Sequence, residues 1–181
     1  MLIINTREDL NIWLREDAKA NKINSRLQYW LELLYGSTHA HVVRYLRCLR
    51  KYEYYLNINS PLRIYYKLKN RRLGLRYGIM IFPNTIGYGL RISHFEGGVI
   101  INCKSMGCYC SVNSGVVCGN NGGQQRRPII GNHVNIAVGA KVIGEVVIGD
   151  NVLIAPNAVV VKDVPENVIV AGVPAHILKA R

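Results

Sequence analysis

Through the C-terminal half of the chain, apolar residues recur every six positions: Ile130, Ile136, Val142, Ile148, Ile154 and Val160. Four places after each comes a small or β-branched apolar residue: Val134, Ala140, Val146, Val152, Ala158 and Val164. A helix repeats every 3.6 residues and a strand every 2, so a period of six belongs to neither alone. It predicts a parallel β-helix in which each hexapeptide forms one flat side of a coil, the first residue pointing inward and the fifth packing near the corner. Gly131-Asn132 and Gly149-Asp150 are then the expected corner residues, turning the backbone at positive φ.

The N-terminal half reads as helices. Thr6 is placed to cap a helix with Leu10, Trp13 and Leu14 on its apolar face and Asp9 in its first turn. Ser25 caps a second, whose apolar face is Leu27, Trp30, Leu31 and Leu34 and whose stop is Gly36. A third is predicted over 38–56, and Pro61 opens a fourth that runs to about Arg72 and ends at Gly74. The division expected is a basic helical region, 1–76, and a repeat domain, 77–181.

The repeat is imperfect at two places. It begins at Met80, Ile86 and Ile92, stumbles across 98–105, and resumes at Met106, Val112 and Cys118. From Ile92 to Met106 is fourteen residues, two hexapeptides and two extra, which predicts a bulge. Between Cys118 and Ile130 the spacing holds but the composition fails, with Gln124 at an inward position and Gly122 at a packing position. Residues 119–128 are therefore expected to leave the coil as a loop, where function commonly resides.

Charge divides the chain unevenly. Sixteen of the 23 Lys and Arg and six of the 11 acids lie in residues 1–91, so most of the net +12 belongs to the helices. Between Arg44 and Arg76 the cations alternate with Tyr45, Tyr52, Tyr54, Tyr55, Tyr65 and Tyr66. Such a mixture suits nucleic acid or an anionic membrane surface. The preferred reading is that the tyrosines pack the helices while the cations face water, with nucleic acid not expected and peripheral membrane association left open. No apolar run reaches eighteen residues and no basic leader precedes an apolar stretch, so a cytoplasmic location is expected, with the inner face of the membrane left open. Of the five cysteines, Cys118 and Cys110 fall on core positions of the register, while Cys103 and Cys108 do not share it. C-x4-C-x-C matches no common zinc spacing, so reduced thiols and no metal are expected.

The run Val160-Val161-Lys162-Asp163-Val164-Pro165, with Ala171-Gly172-Val173-Pro174-Ala175 after it, resembles the C-terminal signature of the hexapeptide-repeat acyltransferases. Ile86-Gly87-Tyr88-Gly89-Leu90-Arg91-Ile92-Ser93-His94 is similar to the stretch carrying the catalytic histidine in their serine acetyltransferase-like branch, which includes polysaccharide O-acetyltransferases. The resemblance covers residues of about 78–181. It implies a mainly β, left-handed parallel β-helix, acetyl-CoA as co-substrate, a homotrimer with active sites between neighbours, and His94 as general base.

On that resemblance the substrate-binding candidates are Ser93, Glu96, Asn113, Arg126 and Arg127. The coenzyme candidates are Gly119, Asn120, Ala137, Val138, Ala155 and Pro156 along the coils, with Lys162, His176 and Lys179 facing phosphates. Pro156 lacks an N–H, so its contact is apolar. Three departures from the serine-specific pattern stand out. Met80 replaces an aspartate, Ser93 replaces an aspartate beside the catalytic histidine, and Arg127 replaces a histidine in the loop. They turn the expected acceptor toward a sugar hydroxyl of a surface polysaccharide or its precursor. Serine O-acetylation in cysteine biosynthesis is the alternative, and a non-catalytic scaffold or binding module the third. His133 is expected at a solvent-facing corner, and His39 and His41 as structural.

Overall fold

The computed structural model describes residues 3–122 and 126–181. Four helices come first: α1 (Arg7–Ala20), α2 (Arg26–Leu34), α3 (Thr38–Asn57) and α4 (Leu62–Tyr77). Thr6 and Asp9 form a reciprocal capping box on α1, and the Ser25 side chain accepts from the Gln28 amide to start α2. The fourth helix runs past the expected stop. It ends where Gly78 takes a left-handed conformation, φ +65°. Gly74 lies inside it, pressed so close to β1 that a β-carbon there would stand 2.6 Å from the Ile79 carbonyl oxygen. The second helix departs from expectation more sharply: Leu27, Trp30, Leu31 and Leu34 point to solvent, while Tyr29 on the opposite face is buried.

The rest is a parallel β-helix with three flat sides. The first is built from β1 (Ile79–Ile81), β3 (Val99–Ile101), β6 (Val116–Gly119), β9 (Lys141–Ile143) and β12 (Val159–Val160). The second is β4 (Ser105–Met106), β7 (Ile129–Ile130) and β10 (Val147–Ile148). The third runs β2 (Arg91–Ser93), β5 (Ser111–Asn113), β8 (Asn135–Ile136), β11 (Leu153–Ile154) and β13 (Val168–Ala171), and closes with antiparallel β14 (His176–Ala180). The ladder stacks inward residues in three columns: Ile81, Ile101, Cys118, Val142, Val160 on the first side; Ile86, Met106, Ile130, Ile148, Val164 on the second; Ile92, Val112, Ile136, Ile154, Val170 on the third. All are buried. At about 1.5–3 kcal/mol for each fully buried large aliphatic side chain, these columns are the main source of the domain's stability.

The hexapeptide register was legible, with one slip. Met80 points outward and Ile79 and Ile81 point in, because only five residues separate Ile81 from Ile86. The fourteen-residue step has the same origin. Ile92 to Ile101 spans nine residues, three more than a hexapeptide, and Ile101 to Met106 spans five, one fewer. The stretch read as a stumble thus contains β3, with Cys103 fully buried behind it.

The corners divide labour between two kinds of residue. Positive φ falls at His133 and Asn151, not at the expected Gly131 and Gly149. With Gly89, Tyr109 and Asn167 these residues form one left-handed column between the second and third sides. The glycines at 87, 107, 131 and 149 serve a different purpose. A β-carbon on Gly131 would lie 2.9 Å from the backbone of Gly149 and Asp150 in the next coil, and the other three meet the same obstacle.

A β-helix ends in a coil whose outward amides and carbonyls have no neighbour. Here the helices supply one. Arg50, with no exposed surface, donates to the Ile86 and Gly87 carbonyls at 3.0 and 2.7 Å and is paired with Asp17 and Glu53 at 2.8 and 2.9 Å. Asp17 accepts from the Gly89 and Leu90 amides, Glu53 from Asn84, and the Tyr45 hydroxyl from Ile81. Asn21 bridges Leu90 and Ile92. Burial opposes the charge on Arg50, but Asp17 and Glu53 more than offset it and raise its pKa; burial pushes the Glu53 carboxyl up. Arg50 is thus an exception to the expectation that the helical cations face water.

Arg50→Ala leaves two carboxylates buried without their partner, and the expected loss is about 3–5 kcal/mol of unfolding free energy, read from urea denaturation. A loss under about 1 kcal/mol would show that the ion cluster is not what clamps helices to coil. Gly131→Ala should cost about 1–3 kcal/mol by overpacking, measured the same way; an unchanged midpoint would mean that the coil spacing adapts freely.

Candidate active site

His94 stands at the corner between the first and third sides of the lowest coil, where the three extra residues are inserted. Its side chain is exposed and its backbone is left-handed, φ +58°. The insert is held from several directions. Gly98 donates to the Phe95 carbonyl at 2.8 Å, closing a tight turn, and the Phe95 ring packs against Tyr77 of α4, 5.4 Å between centroids. Tyr77 in turn meets His41 of α3 at 3.1 Å through its hydroxyl. Burial, and the charges of Arg44 and Arg76, hold the His41 pKa below its ordinary value. Glu96 accepts from the Thr38 hydroxyl at 3.1 Å, and the Gly97 amide donates to the Ser114 hydroxyl at 2.9 Å. Thr38, Tyr77, Phe95 and Ser114 were not foreseen, since helix and corner are remote in sequence and no local pattern links them.

From this corner a column of residues runs up the outer edge of the third side. The ladder pairs Ser93 with Asn113, and its continuation sets Ala137, Ala155 and Ala171 in line above them. At about 4.8 Å per coil, the column covers roughly 19 Å from Ser93 to Ala171. Small side chains leave it shallow. The substrate candidates Ser93 and Asn113 and the coenzyme candidates Ala137 and Ala155 therefore share one edge. The amides of Ala137 and Ala155, however, already donate to Ile154 and Val170 in the next coil. Contact at these two residues is left to carbonyls and methyl groups. Val138 is exposed and Pro156 lies in the next coil's corner beyond Ala155.

The remaining candidates lie elsewhere on the same chain. Arg126, Asn121, Ile143 and Glu145 line a cleft of about 370 Å³ at the corner between the first and second sides. Gly119 is buried at the base of the loop, its carbonyl taking the Gly144 amide, and Asn120 is half-buried beside it. Arg127 reaches Asn102 at 3.5 Å, and its Nε is buried without an acceptor. Gly122, expected at a packing position, is exposed at φ +107°, while Gln124 lies outside the described residues. Lys162 and His176 line a cleft of about 540 Å³ at the upper end, and Lys179 is exposed on β14 without lining it. Within one chain, then, His94 and the arginine loop occupy different corners of the prism.

His133 is exposed as expected, stacked on Tyr109 at 5.4 Å. Cys103, Cys110 and Cys118 are buried, and all five cysteines are free. Burial pushes the Cys110 thiol up to about 12, so it stays protonated near neutral pH. Among the described residues no group of His, Cys, Asp and Glu is arranged to hold a metal ion, and no helix is long and apolar enough to cross a membrane.

A β-helix of hexapeptide coils, preceded by helices and interrupted at a histidine-bearing corner, is the architecture that the resemblance to the hexapeptide-repeat acyltransferases implies. Residues 127–162 match the family model of the bacterial transferase hexapeptide (six repeats). The serine acetyltransferase of Synechococcus elongatus is 38% identical over 104 residues, covering 56% of this chain and 43% of the relative. The solved serine acetyltransferase of Neisseria gonorrhoeae superposes with a TM-score of 0.74 at 29% identity, covering 96% of this chain and 66% of that one. That of Brucella abortus in complex with coenzyme A gives 0.70 at 26% identity, covering 96% and 69%. The β-helix of this chain thus resembles the hexapeptide-repeat transferases and the serine acetyltransferase structures, with its helical region included in the likeness. The chain spans less than half the length of the first curated relative.

These likenesses correct the acceptor drawn from the sequence. The relatives are named serine acetyltransferases, and none of these likenesses supports a polysaccharide acceptor. Single departures at Met80, Ser93 and Arg127 do not outweigh these likenesses. Met80 is turned outward by the register slip, and the His94 corner retains a carboxylate in Glu96.

Proposed function

We propose that the chain transfers the acetyl group of acetyl-CoA to the hydroxyl of L-serine, with His94 as general base. The observation that carries this reading is the edge column joining the His94 corner to Ala137 and Ala155, in a fold whose neighbours include a serine acetyltransferase bound to coenzyme A. An alcohol is a poor nucleophile near neutral pH. A neutral imidazole takes its proton as the oxygen attacks the thioester carbon. The tetrahedral oxyanion collapses, the C–S bond breaks, and the imidazolium returns the proton to the departing thiolate. No acyl-enzyme forms, and the gain comes from holding both substrates along one edge.

Ser93, Glu96 and Asn113 surround the acceptor in this scheme, with Arg126 and Arg127 supplying positive charge for its carboxylate. Gly119, Asn120, Ala137, Val138, Ala155 and Pro156 flank the pantetheine arm, and Lys162, His176 and Lys179 meet the phosphates as point charges. Because the arginine loop and His94 sit on different corners, a homotrimer unites them: the loop of one subunit faces the His94 corner of the next. The proposed compartment is the cytoplasm, where both substrates occur.

His94→Ala should lower kcat by about 10²–10⁴-fold with coenzyme A binding unchanged in calorimetry; turnover within threefold of the parent would remove His94 from this role. Presented with free L-serine and a panel of sugars, the enzyme should acetylate serine, and acetylated sugar without acetylated serine would refute the proposed acceptor. Sedimentation should give three times the chain mass. Full activity in a monomeric species would dissolve the shared-site arrangement.

A further inference from the structure

The face formed by α2, α3 and α4 combines two features that the acyl transfer does not use. One is apolar. Leu27, Trp30, Leu31 and Leu34 lie on one side of α2 with exposures of 71, 53, 46 and 83%, and α4 adds Ile64, Tyr65 and Leu68 at 61, 55 and 54%. The other is charge. Residues of α4 include six cations and no acid, and only Asn70, Leu73 and Tyr77 of that helix are buried. Between α2 and α4 runs a groove of about 390 Å³, floored by α3, which presents Arg44, Arg47 and Lys51 beside Lys69. An adjoining cleft of about 770 Å³ adds Arg15, Lys19 and Arg26. No carboxylate lines either one. Glu32, the acid of α2, is engaged by Gln28 and Ser37.

The charge pattern selects among the partners that an exposed apolar face admits. A second copy meeting this face about a two-fold axis would set like residues against like, and the cations would repel. A nucleic acid strand needs open aromatic faces for stacking. The exposed side chains here are mostly aliphatic, and the groove's tyrosines are covered, Tyr29 by Arg47 at 4.1 Å and Tyr66 by Lys51 at 5.8 Å, which leaves Trp30 as its one open ring. A bilayer rich in anionic lipid satisfies both features, with phosphates against the cations and acyl chains receiving the leucines. We infer that this α2–α4 face docks on an anionic membrane surface. The inference stands independently of the acyl transfer proposed above.

Trp30 makes the test direct. The chain has two tryptophans, and Trp13 is buried at 6% exposure, so insertion should shift the emission of Trp30 to the blue. The full chain should co-sediment with phosphatidylcholine vesicles containing about a third phosphatidylglycerol and stay in solution with phosphatidylcholine alone. The double variant Lys51→Glu, Lys69→Glu should weaken vesicle binding by about tenfold or more, since each surface cation contributes about fivefold. Leu31→Ser, Leu34→Ser should abolish the emission shift, and both variants should keep the parent's circular dichroism. Equal binding to neutral and anionic vesicles, or none to either, would overturn the inference. So would a change in oligomeric mass in the leucine variant without vesicle binding, which would assign the face to a second copy. Tighter capture of an oligonucleotide than of anionic vesicles would likewise assign it to nucleic acid.

Discussion

A stack of coils has an open end, and everything else in this protein depends on how that end is closed. Each coil satisfies its backbone through the coils above and below, so the first has an unmet set of donors and acceptors. Asp17, Asn21, Tyr45, Arg50 and Glu53 meet them from the helices, group by group, at Ile81, Asn84, Ile86, Gly87, Gly89, Leu90 and Ile92. The cost of burying three charged side chains is compensated by their mutual pairing and by carbonyls and amides that would otherwise face a dry interface. The helical region is therefore a lid on the lowest coil. At the far end the antiparallel hairpin of β13 and β14 does the corresponding work with ordinary strand pairing.

The same junction explains why the proposed chemistry sits in the first full corner. Three extra residues can bulge from a coil only where something outside the coil supports them. α3 and α4 provide it, through Thr38 on Glu96 and Tyr77 on Phe95, while Ser114 holds Gly97 from the coil above. His94 is thus exposed yet mounted on a fixed turn, a condition for a side chain that must present one ring nitrogen to a small nucleophile.

Much of this was legible in the residues. Inward positions from Met106 to Val164 follow from the period alone, because a residue on the wrong side of a coil would expose an isoleucine and bury a charge. What could not be read were departures of one residue. Ile79, Met80 and Ile81 are all apolar, so composition cannot say which points inward; the shortened step to Ile86 decides it. The positive φ expected at Gly131 falls on His133 instead, because a glycine satisfies two different needs, a positive φ and the absence of a β-carbon, and the sequence does not distinguish them. The α2 stripe misled for a related reason: helical spacing shows that one face is apolar, not that this face points to the core. The three substitutions point to a sugar only in isolation from the corner around them, where Glu96 still supplies a carboxylate.

The ladder also imposes a graduation on reach. Coils add height in equal increments of about 4.8 Å, so the separation between the His94 corner and the cleft of Lys162 and His176 is quantised. Inserting or deleting one whole hexapeptide triplet would leave the core columns, corner glycines and end caps intact while changing that separation by a single step. A solenoid of this kind is a ruler, and the length of the molecule it accommodates is set by counting coils rather than by reshaping a pocket.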